Sequence, residues 1–564
     1  MRPPRLAFAL GLVLAGCASS PVQTQAAASS EITVPQIARP EGETPDWWFR
    51  AGAATAHNHG AGRARARNII LFIGDGMSIP TVSAARILEG QRHGQPGEEN
   101  MLSFERFPYT ALSRTYNTNS QTPDSAGTMT AMVTGAKTRI GVLSVGQSAE
   151  RGNCTQGQQT PLSTILEMAE SAGLSTGVVT NTRLTHATPG ATYAHVSERN
   201  WESDGKLSSA AREAGCRDIA RQFVEFNYGD GIDVAMGGGR QNFETNTQID
   251  PEYPEQRGAR LDGRDLVQEW STRHPEGKFV WNAQQLAALD LAHTSRLLGL
   301  FEPDHMNYEH ERPQDRGGEP SLAEMTRAAI TVLERNPKGY FLMVEGGRID
   351  MAHHAGNAFR ALDETIAFSD AVRAATEVSS ESDTLIIVTA DHSHTMTFSG
   401  YPLRGNPILG KVAGGITEDK HADLATDLAG QPYTTLNYAS GPGYVGTTDQ
   451  QPEGPKKFPH LPNSTKPSSG RPDLTKVDTE DPDYLQEALF PAKSETHGGD
   501  DVGVWARGPG ASAVRGSIEQ NVIFHFMLQS QPDLVALVCR LGDCENGVPV
   551  KRPEPVSLLR PQAR

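Results

Sequence analysis

The sequence predicts a three-layer α/β/α sandwich around a large, mostly parallel central sheet, and two observations lead to this fold class. First, short apolar runs that end in a polar or glycine cluster recur along the chain, as expected for buried parallel strands; they span residues 68–77, 174–183, 232–240, 339–350 and 383–394. Second, helical patterns lie between these runs, at 162–173 and 321–336. In such a fold, functional side chains collect beyond the carboxyl ends of the strands.

The composition describes a soluble, acidic globular protein that can bury a large core. The chain has 564 residues, a formal net charge of -16 and 37% hydrophobic residues. The negative charge argues against a nucleic-acid partner. Length alone would allow three or four domains, but no long disordered linker is evident after residue 50, so we expect one large domain with insertions.

The first residues resemble a bacterial export signal. A basic start is followed by an apolar stretch and by LAGC at 14–17, which resembles a lipobox. The resemblance implies a lipoprotein signal peptide over 1–16 and a lipid on the sulfur of Cys17; an ordinary secretory signal cut near Ala18 is the alternative. The apolar stretch is too short to span a membrane. We therefore expect an exported protein that a lipid anchors at the outer membrane or cell surface, with the periplasm as second choice.

The rest of the chain divides by composition. Residues 17–44 are rich in Ala, Ser, Thr and Gln and predict a flexible tether. Residues 45–60 predict a helix, a possible dimer arm, whose Trp47 and Trp48 pack on a partner subunit or on the main body. The main α/β domain spans 61–400 and 495–545, and 546–564 is a C-terminal tail. Residues 401–494, rich in Gly, Pro, Thr and Asn, predict an inserted, crown-like surface subdomain, with a disordered loop as the alternative.

Four cysteines besides Cys17 predict two disulfides in an exported chain. Three pairings are possible. Cys539 with Cys544 closes the easiest short loop, which leaves Cys154 with Cys216. A zinc–thiolate site is the alternative, although neither pair has C-x-x-C spacing.

One serine stands at a turn that opens a helix of small residues, in PDSAGTMTAMVTGAK. On its own Ser125 would most often be only a helix cap. Its interest comes from the carboxylates and histidines that follow the predicted strands elsewhere in the chain.

These candidate metal ligands share a position after an apolar run or in the loop after the insertion: Asp75, Glu345, Asp350, His354, Asp391, His392 and His497. Asp350 and His354 are four residues apart, so they share one face of a helix. Singly, each residue is as often a turn or core residue as a ligand. Together they indicate a pair of Zn²⁺ ions, about 4 Å apart, of the kind that catalyses in-line displacement at phosphorus.

The motifs that hold these residues resemble the alkaline phosphatase family. IGDGM, PDSAGT, THATPGATYAHVSER, VEGGRID with HH, TADHSH and ETHGG occur in the order found in that family, and the likeness extends from residue 45 to the Cys539/Cys544 pair. It is strongest to the vertebrate-type branch. The resemblance implies a homodimer and a hydrolase of phosphate monoesters, with broad substrate range, that acts through a phosphoserine.

The resemblance also implies roles for individual residues. Ser125 would be the nucleophile and Arg199 the bidentate clamp on phosphate, with Asp124 positioning that arginine. Each subunit would hold two zinc ions and one magnesium ion. The ligands would be Asp350, His354 and His497 for the first zinc, Asp75, Asp391 and His392 for the second, and Asp75, Thr188 and Glu345, with His186 nearby, for magnesium.

Three features modify this resemblance. His186 stands where some bacterial members have Asp, which weakens the case for tight magnesium binding. Met351 stands where vertebrate relatives often have His, so a third imidazole near the first zinc is expected to be missing. A calcium site is also implied, because several oxygen ligands match the vertebrate-type enzymes: Glu252, the Phe301 carbonyl, Glu302 and Glu319, the last in place of an Asp.

Other functions remain open at this point. A phosphodiesterase or sulfatase of the same superfamily would share the metal pair, and a non-catalytic lipoprotein could bind phosphate through the same residues. In the monoesterase, inorganic phosphate is the product and an expected competitive inhibitor. The MGGGR run at 236–240 lacks the P-loop and dinucleotide spacings and predicts a tight turn after a strand.

Overall fold

A ten-stranded sheet forms the centre of the molecule, in a computed structural model that describes residues 31–414, 423–428, 430–445, 456–457, 459 and 471–559. The described strands, in chain order, are β1 Asn68–Gly74, β2 Tyr109–Arg114, β3 Ser175–Arg183, β4 Val234–Gly238, β5 Lys278–Val280, β6 Leu297–Leu300, β7 Tyr340–Gly346, β8 Thr384–Ala390, β9 Ser393–His394, β10 Met396–Phe398, β11 Leu436–Gly441, β12 Ala488–Pro491, β13 His497–Gly498, β14 Val502–Arg507, β15 Gly516–Glu519, β16 Cys544–Glu545 and β17 Val548–Pro549.

The described α-helices are α1 Pro45–His59, α2 Ile79–Arg92, α3 Ser125–Thr134, α4 Cys154–Gln159, α5 Ile165–Ala172, α6 Ala187–Gly190, α7 Ser209–Glu213, α8 Ile219–Val224, α9 Leu266–Arg273, α10 Ala283–Ala287, α11 Leu322–Leu333, α12 Arg348–His354, α13 Ala358–Val378, α14 Val522–Ser530, α15 Pro532–Leu541 and α16 Pro555–Leu558. In the helical pattern predicted at 162–173, the helix begins after Thr164, and in the pattern at 321–336 it begins after Ser321. Each of these residues forms a capping box with a glutamate three positions later, which fixes the first turn.

The strand order of the large sheet is β15-β2-β14-β8-β1-β7-β3-β4-β6-β5. The run from β8 to β5 is parallel, whereas β14 pairs antiparallel with both β8 and β2. The five predicted strand segments all lie in the parallel run. The predicted fold class, a large mostly parallel sheet, is therefore confirmed.

Strand β1 shows why the molecule has three layers, since every one of its residues is buried. Ile69, Leu71 and Ile73 pack into one apolar cluster, together with residues of α3, α5 and α14. Ile70 and Phe72 point to the opposite face and pack with residues of α2, α11 and α13. Successive side chains thus enter different cores, as the two-residue period of a strand requires.

Two small sheets lie near the region predicted as an insertion. β10, β11 and β12 form a three-stranded sheet, and β9 pairs with β13. Parts of 401–494 lie outside the described residues. At the predicted turn after β4, Gly239 has φ +90°, a left-handed conformation that glycine adopts without steric cost.

The N-terminal segment differs from its prediction. Residues 31–44 were included in the flexible tether, but Ile32 is buried against Ala53 and Val550, and Glu43 is 7% exposed. The reason is the scattered Ile, Val and Pro residues of this stretch, which contact α1 and the C-terminal region. Cys17 and the predicted signal peptide lie outside the described residues.

The cysteines form the two predicted disulfides, Cys154–Cys216 and Cys539–Cys544, with Cα atoms 6.1 and 5.3 Å apart. These are ordinary separations for a disulfide. The zinc–thiolate alternative is thereby excluded. In the part of the chain that the structure covers, no single helix is long and apolar enough to cross a membrane, and the one adjacent pair that passes jointly, α14 with α15, is bent by 106°.

Candidate active site

The carboxyl ends of four neighbouring strands, β8, β1, β7 and β3, meet at a buried crevice. Asp75 follows β1, Asp391 follows β8 and Glu345 is the next-to-last residue of β7, and all three are fully buried. Helix α12 begins just after β7 and supplies Asp350 and His354. The parallel arrangement therefore collects the acidic side chains at one edge of the sheet.

The first group of potential metal ligands surrounds Asp350. Its Oδ1 atom lies 3.3 Å from Nε2 of His354 and 3.4 Å from Nε2 of His497, and these two nitrogens are only 3.1 Å apart. Nδ1 of His354 contacts the Glu495 carbonyl oxygen at 2.6 Å, and Nδ1 of His497 contacts the Pro123 carbonyl oxygen at 2.8 Å. A carbonyl only accepts, so Nδ1 carries the proton and both Nε2 lone pairs face Asp350.

His394 also belongs to this group, which corrects the expectation that a third imidazole is missing because of Met351. Its Nε2 atom lies 2.7 Å from Asp350 Oδ1. The sequence motif TADHSH contained the signal, because it places a second histidine two residues after His392. His497 was expected in a loop, but it lies in β13 opposite His394, with Glu495 bonded to the other side of the His394 ring.

The second group joins Asp75, Asp391 and His392. Nε2 of His392 lies 3.3 Å from Asp75 Oδ1 and 3.4 Å from Asp391 Oδ2. Backbone N–H groups of Gly76 and His392 donate to Asp391 Oδ1, at 3.0 and 2.9 Å, which fixes that carboxylate. Ser125 Oγ lies at this group, 3.1 Å from His392 Nε2 and 3.4 Å from Asp75 Oδ1.

Ser125 is the first residue of α3, and its neighbour Asp124 is the cap. Asp124 Oδ1 accepts from the Gly127 N–H at 3.1 Å. The reading of Ser125 as a helix cap is therefore wrong, because a carboxylate performs that function and leaves the hydroxyl free to face the metal ligands. The backbone N–H of Asp124 donates to Asn117 Oδ1, and that of Gly141 donates to the Asp124 carboxylate, so the turn is held from two sides.

Arg199 lies beside this turn. Its Nη1 donates to Asp124 Oδ2 at 3.0 Å, and its Nη2 is 3.4 Å from His186 Nε2. These contacts use two of the five guanidinium N–H groups, which leaves three for a ligand. The structure thus brings together Ser125, Asp124 and Arg199, which lie up to 75 residues apart in the chain.

The third group contains the residues predicted to hold magnesium. Ligand atoms of Asp75, His186 and Glu345 lie within 4.8 Å of one another. Asp75 Oδ2, Glu345 Oε1, Thr188 Oγ1 and His186 Nδ1 are buried and have no hydrogen-bond partner among the described residues. Buried polar atoms are normally paired. Three of these four atoms are oxygens in an anionic crevice, and that donor set fits a divalent cation.

The electrostatics of the crevice lead to the same conclusion. Burial, followed by repulsion from Asp391, Asp350 and Glu345, raises the pKa of Asp75 well above its ordinary value. Burial also raises the pKa of Glu345 to about 7, although the Thr180 and Thr182 hydroxyls oppose it. For Asp350, burial acts in the same direction, but the surrounding histidines outweigh it and hold its pKa low. A bound cation would relieve the repulsion among these carboxylates.

A separate acidic cluster contains the residues predicted for calcium. Glu252, Glu302 and Asp315 converge, with Glu319 nearby, and sequence reasoning missed Asp315. Burial and then Glu252 raise the pKa of Glu302 to about 10. Asp315 Oδ2 and Glu319 Oε2 are buried with no hydrogen-bond partner in the described part of the chain. Phe301 directly precedes Glu302; its side chain is buried in the apolar core, and its N–H donates to the Gly237 carbonyl at 2.9 Å.

Comparison with known proteins connects this geometry to one family. The alkaline phosphatase family model matches residues 66–531. The alkaline phosphatase of Gadus morhua is 46% identical over 468 residues, 82% of this chain and 91% of the relative. The tissue-nonspecific isozyme of Homo sapiens is 42% identical over 485 residues, 85% of each chain.

Solved structures support the fold. The alkaline phosphatase of Thermus thermophilus has a TM-score of 0.59 and 24% identity, and the match covers 90% of this chain and 100% of that one. The enzyme from the Antarctic bacterium TAB5 has a TM-score of 0.53 and 20% identity, covering 83% and 98%. At these identities the likeness concerns the fold alone. The family model covers most of the chain, and so do the two relatives at 46% and 42% identity. The chain belongs to the alkaline phosphatase family, whose enzymes are metal-dependent phosphomonoesterases.

Proposed function

We propose that the chain hydrolyses phosphate monoesters to an alcohol and inorganic phosphate through a phosphoserine on Ser125. The observation that carries this proposal is the position of Ser125 Oγ, 3.1 Å from His392 Nε2 and 3.4 Å from Asp75 Oδ1. A hydroxyl at the first residue of a buried helix, beside a carboxylate–imidazole group, is placed as a nucleophile. The helix N-terminus also favours a negative charge there.

The reaction would proceed in two displacements. In the first, Ser125 Oγ loses its proton to water and forms a bond to phosphorus while the bond from phosphorus to the alcohol oxygen breaks, and the leaving oxygen takes that proton back from water. In the second, a water oxygen attacks phosphorus and the bond to Ser125 Oγ breaks, and a proton from the attacking water passes to Ser125 Oγ. Inorganic phosphate is released and the hydroxyl is restored.

Arg199 would hold two oxygens of the transferred phosphoryl group. Asp124 fixes one end of its guanidinium, and the three remaining N–H groups form a planar fork that suits phosphate. All the contacts proposed so far concern the phosphoryl group and none concerns the alcohol. Broad substrate range follows from this, as does competitive inhibition by inorganic phosphate.

We assign the metal sites by their donors. The group of Asp350, His354 and His497, with His394 behind it, and the group of Asp75, Asp391 and His392 suit zinc, because both mix imidazole with carboxylate. Thr188 and Glu345, with Asp75, suit magnesium. When bound, these cations would supply Lewis-acid stabilisation of the oxygens that gain charge in each displacement.

The proposal is tested with p-nitrophenyl phosphate, with and without a chelator. Ser125→Ala should lower turnover by roughly 1,000-fold or more, while Ser120→Ala, a matched control in the preceding loop, should not. Absence of turnover in the zinc-loaded wild type would contradict an enzymatic function, and retained phosphate binding would then favour a phosphate-binding lipoprotein. Faster cleavage of bis-p-nitrophenyl phosphate would favour a diesterase.

The acidic cluster supports a calcium ion as a further proposed ligand. Glu252, Glu302 and Glu319 are buried and Asp315 is half-buried. Their carboxylates repel one another and offer only oxygen ligands, which is the donor set that Ca²⁺ prefers. Calcium titration should raise the thermal midpoint of the wild type and not that of Glu302→Gln. An equal rise in both proteins would contradict the assignment.

A homodimer and a lipid anchor complete the proposal. Phe398, Leu489 and Phe490, on the three-stranded sheet, are 43%, 77% and 50% exposed, so the exposed apolar side chains of this sheet would suit a partner subunit. Light scattering should report a dimer, and Leu489→Glu should weaken it. The lipobox supports anchoring through Cys17, and a Cys17→Ser variant that stays with the membrane fraction would contradict it.

A further inference from the structure

His195 lies four residues before Arg199 and outside the metal-binding crevice. Its ring stands at the wall of a separate cavity of about 830 Å³, which Phe226, Tyr228 and Val556 also line. The side chain of His195 is 14% exposed, and that of its partner Glu167 is fully buried. None of the metal-ligand groups described above contains either residue.

The contacts of His195 define its protonation state. Nδ1 lies 2.8 Å from the Ser144 carbonyl oxygen, and Nε2 lies 2.7 Å from Glu167 Oε1. Carbonyl and carboxylate oxygens only accept hydrogen bonds, so both ring nitrogens carry protons and His195 is an imidazolium. Burial by itself lowers the pKa of His195, but Glu167 and the Ser144 carbonyl outweigh it and raise the pKa, against a smaller opposing effect of Arg217.

The bond to Ser144 joins two segments that approach the active site. Leu143 and Val196 exchange backbone hydrogen bonds of 2.9 and 3.0 Å, and the Arg199 N–H donates to the Gly141 carbonyl at 3.0 Å. Residues 141–144 and 195–199 are thus paired along their length. His195 holds this pairing at one end, and Arg199 lies at the other.

Segment 141–144 also contacts the turn that holds Ser125. The Gly141 N–H donates to both carboxylate oxygens of Asp124 at 3.0 Å, and Asp124 in turn accepts from Arg199. Ser144 is held in a left-handed conformation, with φ 45°, in which a non-glycine residue is uncommon. Ser144 also donates to Thr130 Oγ1 and to the Ala191 carbonyl, and its carbonyl accepts from the Leu162 N–H. Of these bonds of Ser144, only the one from His195 joins it to segment 195–199, so loss of the His195 bond would release this end of the pairing.

We propose that His195 is a positioning residue for Arg199. Its ion pair with Glu167 fixes the ring that holds Ser144, and this contact keeps segments 141–144 and 195–199 in register so that the guanidinium stays against Asp124. The inference rests on the proposed function, because Arg199 is the proposed phosphate clamp. It predicts that His195 affects catalysis only through Arg199.

A double-mutant cycle tests this coupling. His195→Gln should raise both KM for p-nitrophenyl phosphate and the inhibition constant of inorganic phosphate, and lower kcat/KM about ten-fold, the size expected for a displaced clamp. In the Arg199→Ala background, His195→Gln should change kcat/KM less than about two-fold. The control is His293→Gln, the same substitution at an 82% exposed histidine paired with Asp290, which should leave both constants unchanged.

The outcomes distinguish this proposal from the proposed function. If His195→Gln lowers kcat/KM about ten-fold in the Arg199→Ala background as well, its effect is general destabilisation and the positioning role is overturned. If Arg199→Ala itself leaves phosphate inhibition unchanged, the clamp and its positioning fail together. Should His195→Gln not fold, Glu167→Gln removes the counter-charge and keeps the ring, and the same cycle applies to it.

Discussion

Replacing Lys137 with methionine is expected to remove a pH dependence of stability that the wild type shows in alkaline solution. The Lys137 side chain is 1% exposed. Its ammonium donates to the Arg114 and Tyr116 carbonyls, both at 3.1 Å, and pairs with Glu519 at 2.9 Å. Burial lowers the pKa of Lys137 from 10.5 to about 8, and Glu519 offsets only part of this.

The sign and size follow from proton linkage. Between pH 8 and 10.5 the unfolded chain keeps a proton on Lys137 that the folded chain has lost, so the free energy of unfolding rises with pH. Each pKa unit is worth about 1.4 kcal/mol, so the wild type should gain up to about 3 kcal/mol across this window relative to Lys137→Met. Below pH 8 the lysine is charged in both states and the difference is constant.

Urea unfolding followed by circular dichroism, at several pH values from 7 to 10.5 in one metal-containing buffer, measures this difference. Subtracting the two proteins cancels the groups they share. Lys278→Met, at an exposed position on β5, is the matched control and should give a flat difference. If the difference in unfolding free energy between wild type and Lys137→Met stays flat or falls as the pH rises, the three acceptors of Lys137 keep its ammonium protonated despite burial, and the reasoning is refuted.

Three further predictions concern the disulfides, the metals and the acidic cluster. Replacing Cys154 and Cys216 by alanine should lower the free energy of unfolding by about 4 kcal/mol, and replacing Cys539 and Cys544 by about 2 kcal/mol. The first disulfide restricts the unfolded chain more, because its cysteines are 62 residues apart and those of the second only 5. Equal urea midpoints for the two variants would contradict this entropic explanation. Metal removal should lower the thermal midpoint more at pH 9 than at pH 5.5. Glu345, with its pKa raised to about 7, is protonated in the folded metal-free protein at pH 5.5, whereas at pH 9 it is ionised and repels the neighbouring carboxylates. Calorimetry of the protein with and without a chelator, at both pH values, measures this. Glu302→Gln should raise the midpoint of the calcium-free protein at pH 7, because Glu302, with its pKa raised to about 10, must bind a proton on folding and glutamine need not; a lower midpoint would contradict this.

Local patterns in the sequence determined the elements that carry the chemistry. Each apolar run became a strand because a parallel sheet covered on both faces needs residues that are apolar throughout, as in β1. The polar residue after each run was thereby placed at the carboxyl end of a strand. The four-residue spacing of Asp350 and His354 likewise placed both on one face of α12, whose pitch is a local property.

Sequence reasoning failed where a contact joins distant segments. His394 was missed because its approach to Asp350 depends on the pairing of β9 with β13, across about a hundred residues. Asp315 was missed for the same reason, since the cluster it joins is assembled from separate loops. The packing of residues 31–44 escaped prediction because composition describes a segment and not the surface it meets.

The sequence by itself therefore determined which residues form strands, which side chains follow them and which motifs match a known family. Only the tertiary structure decided that Asp124, and not Ser125, caps α3, and that the freed hydroxyl faces His392. The physical reason is range: the period of a strand or helix is set by neighbouring residues, whereas strand order and the meeting of loops are set by burial of both faces of the sheet at once. The active-site geometry, including the path from His195 to Arg199, belongs to the second kind.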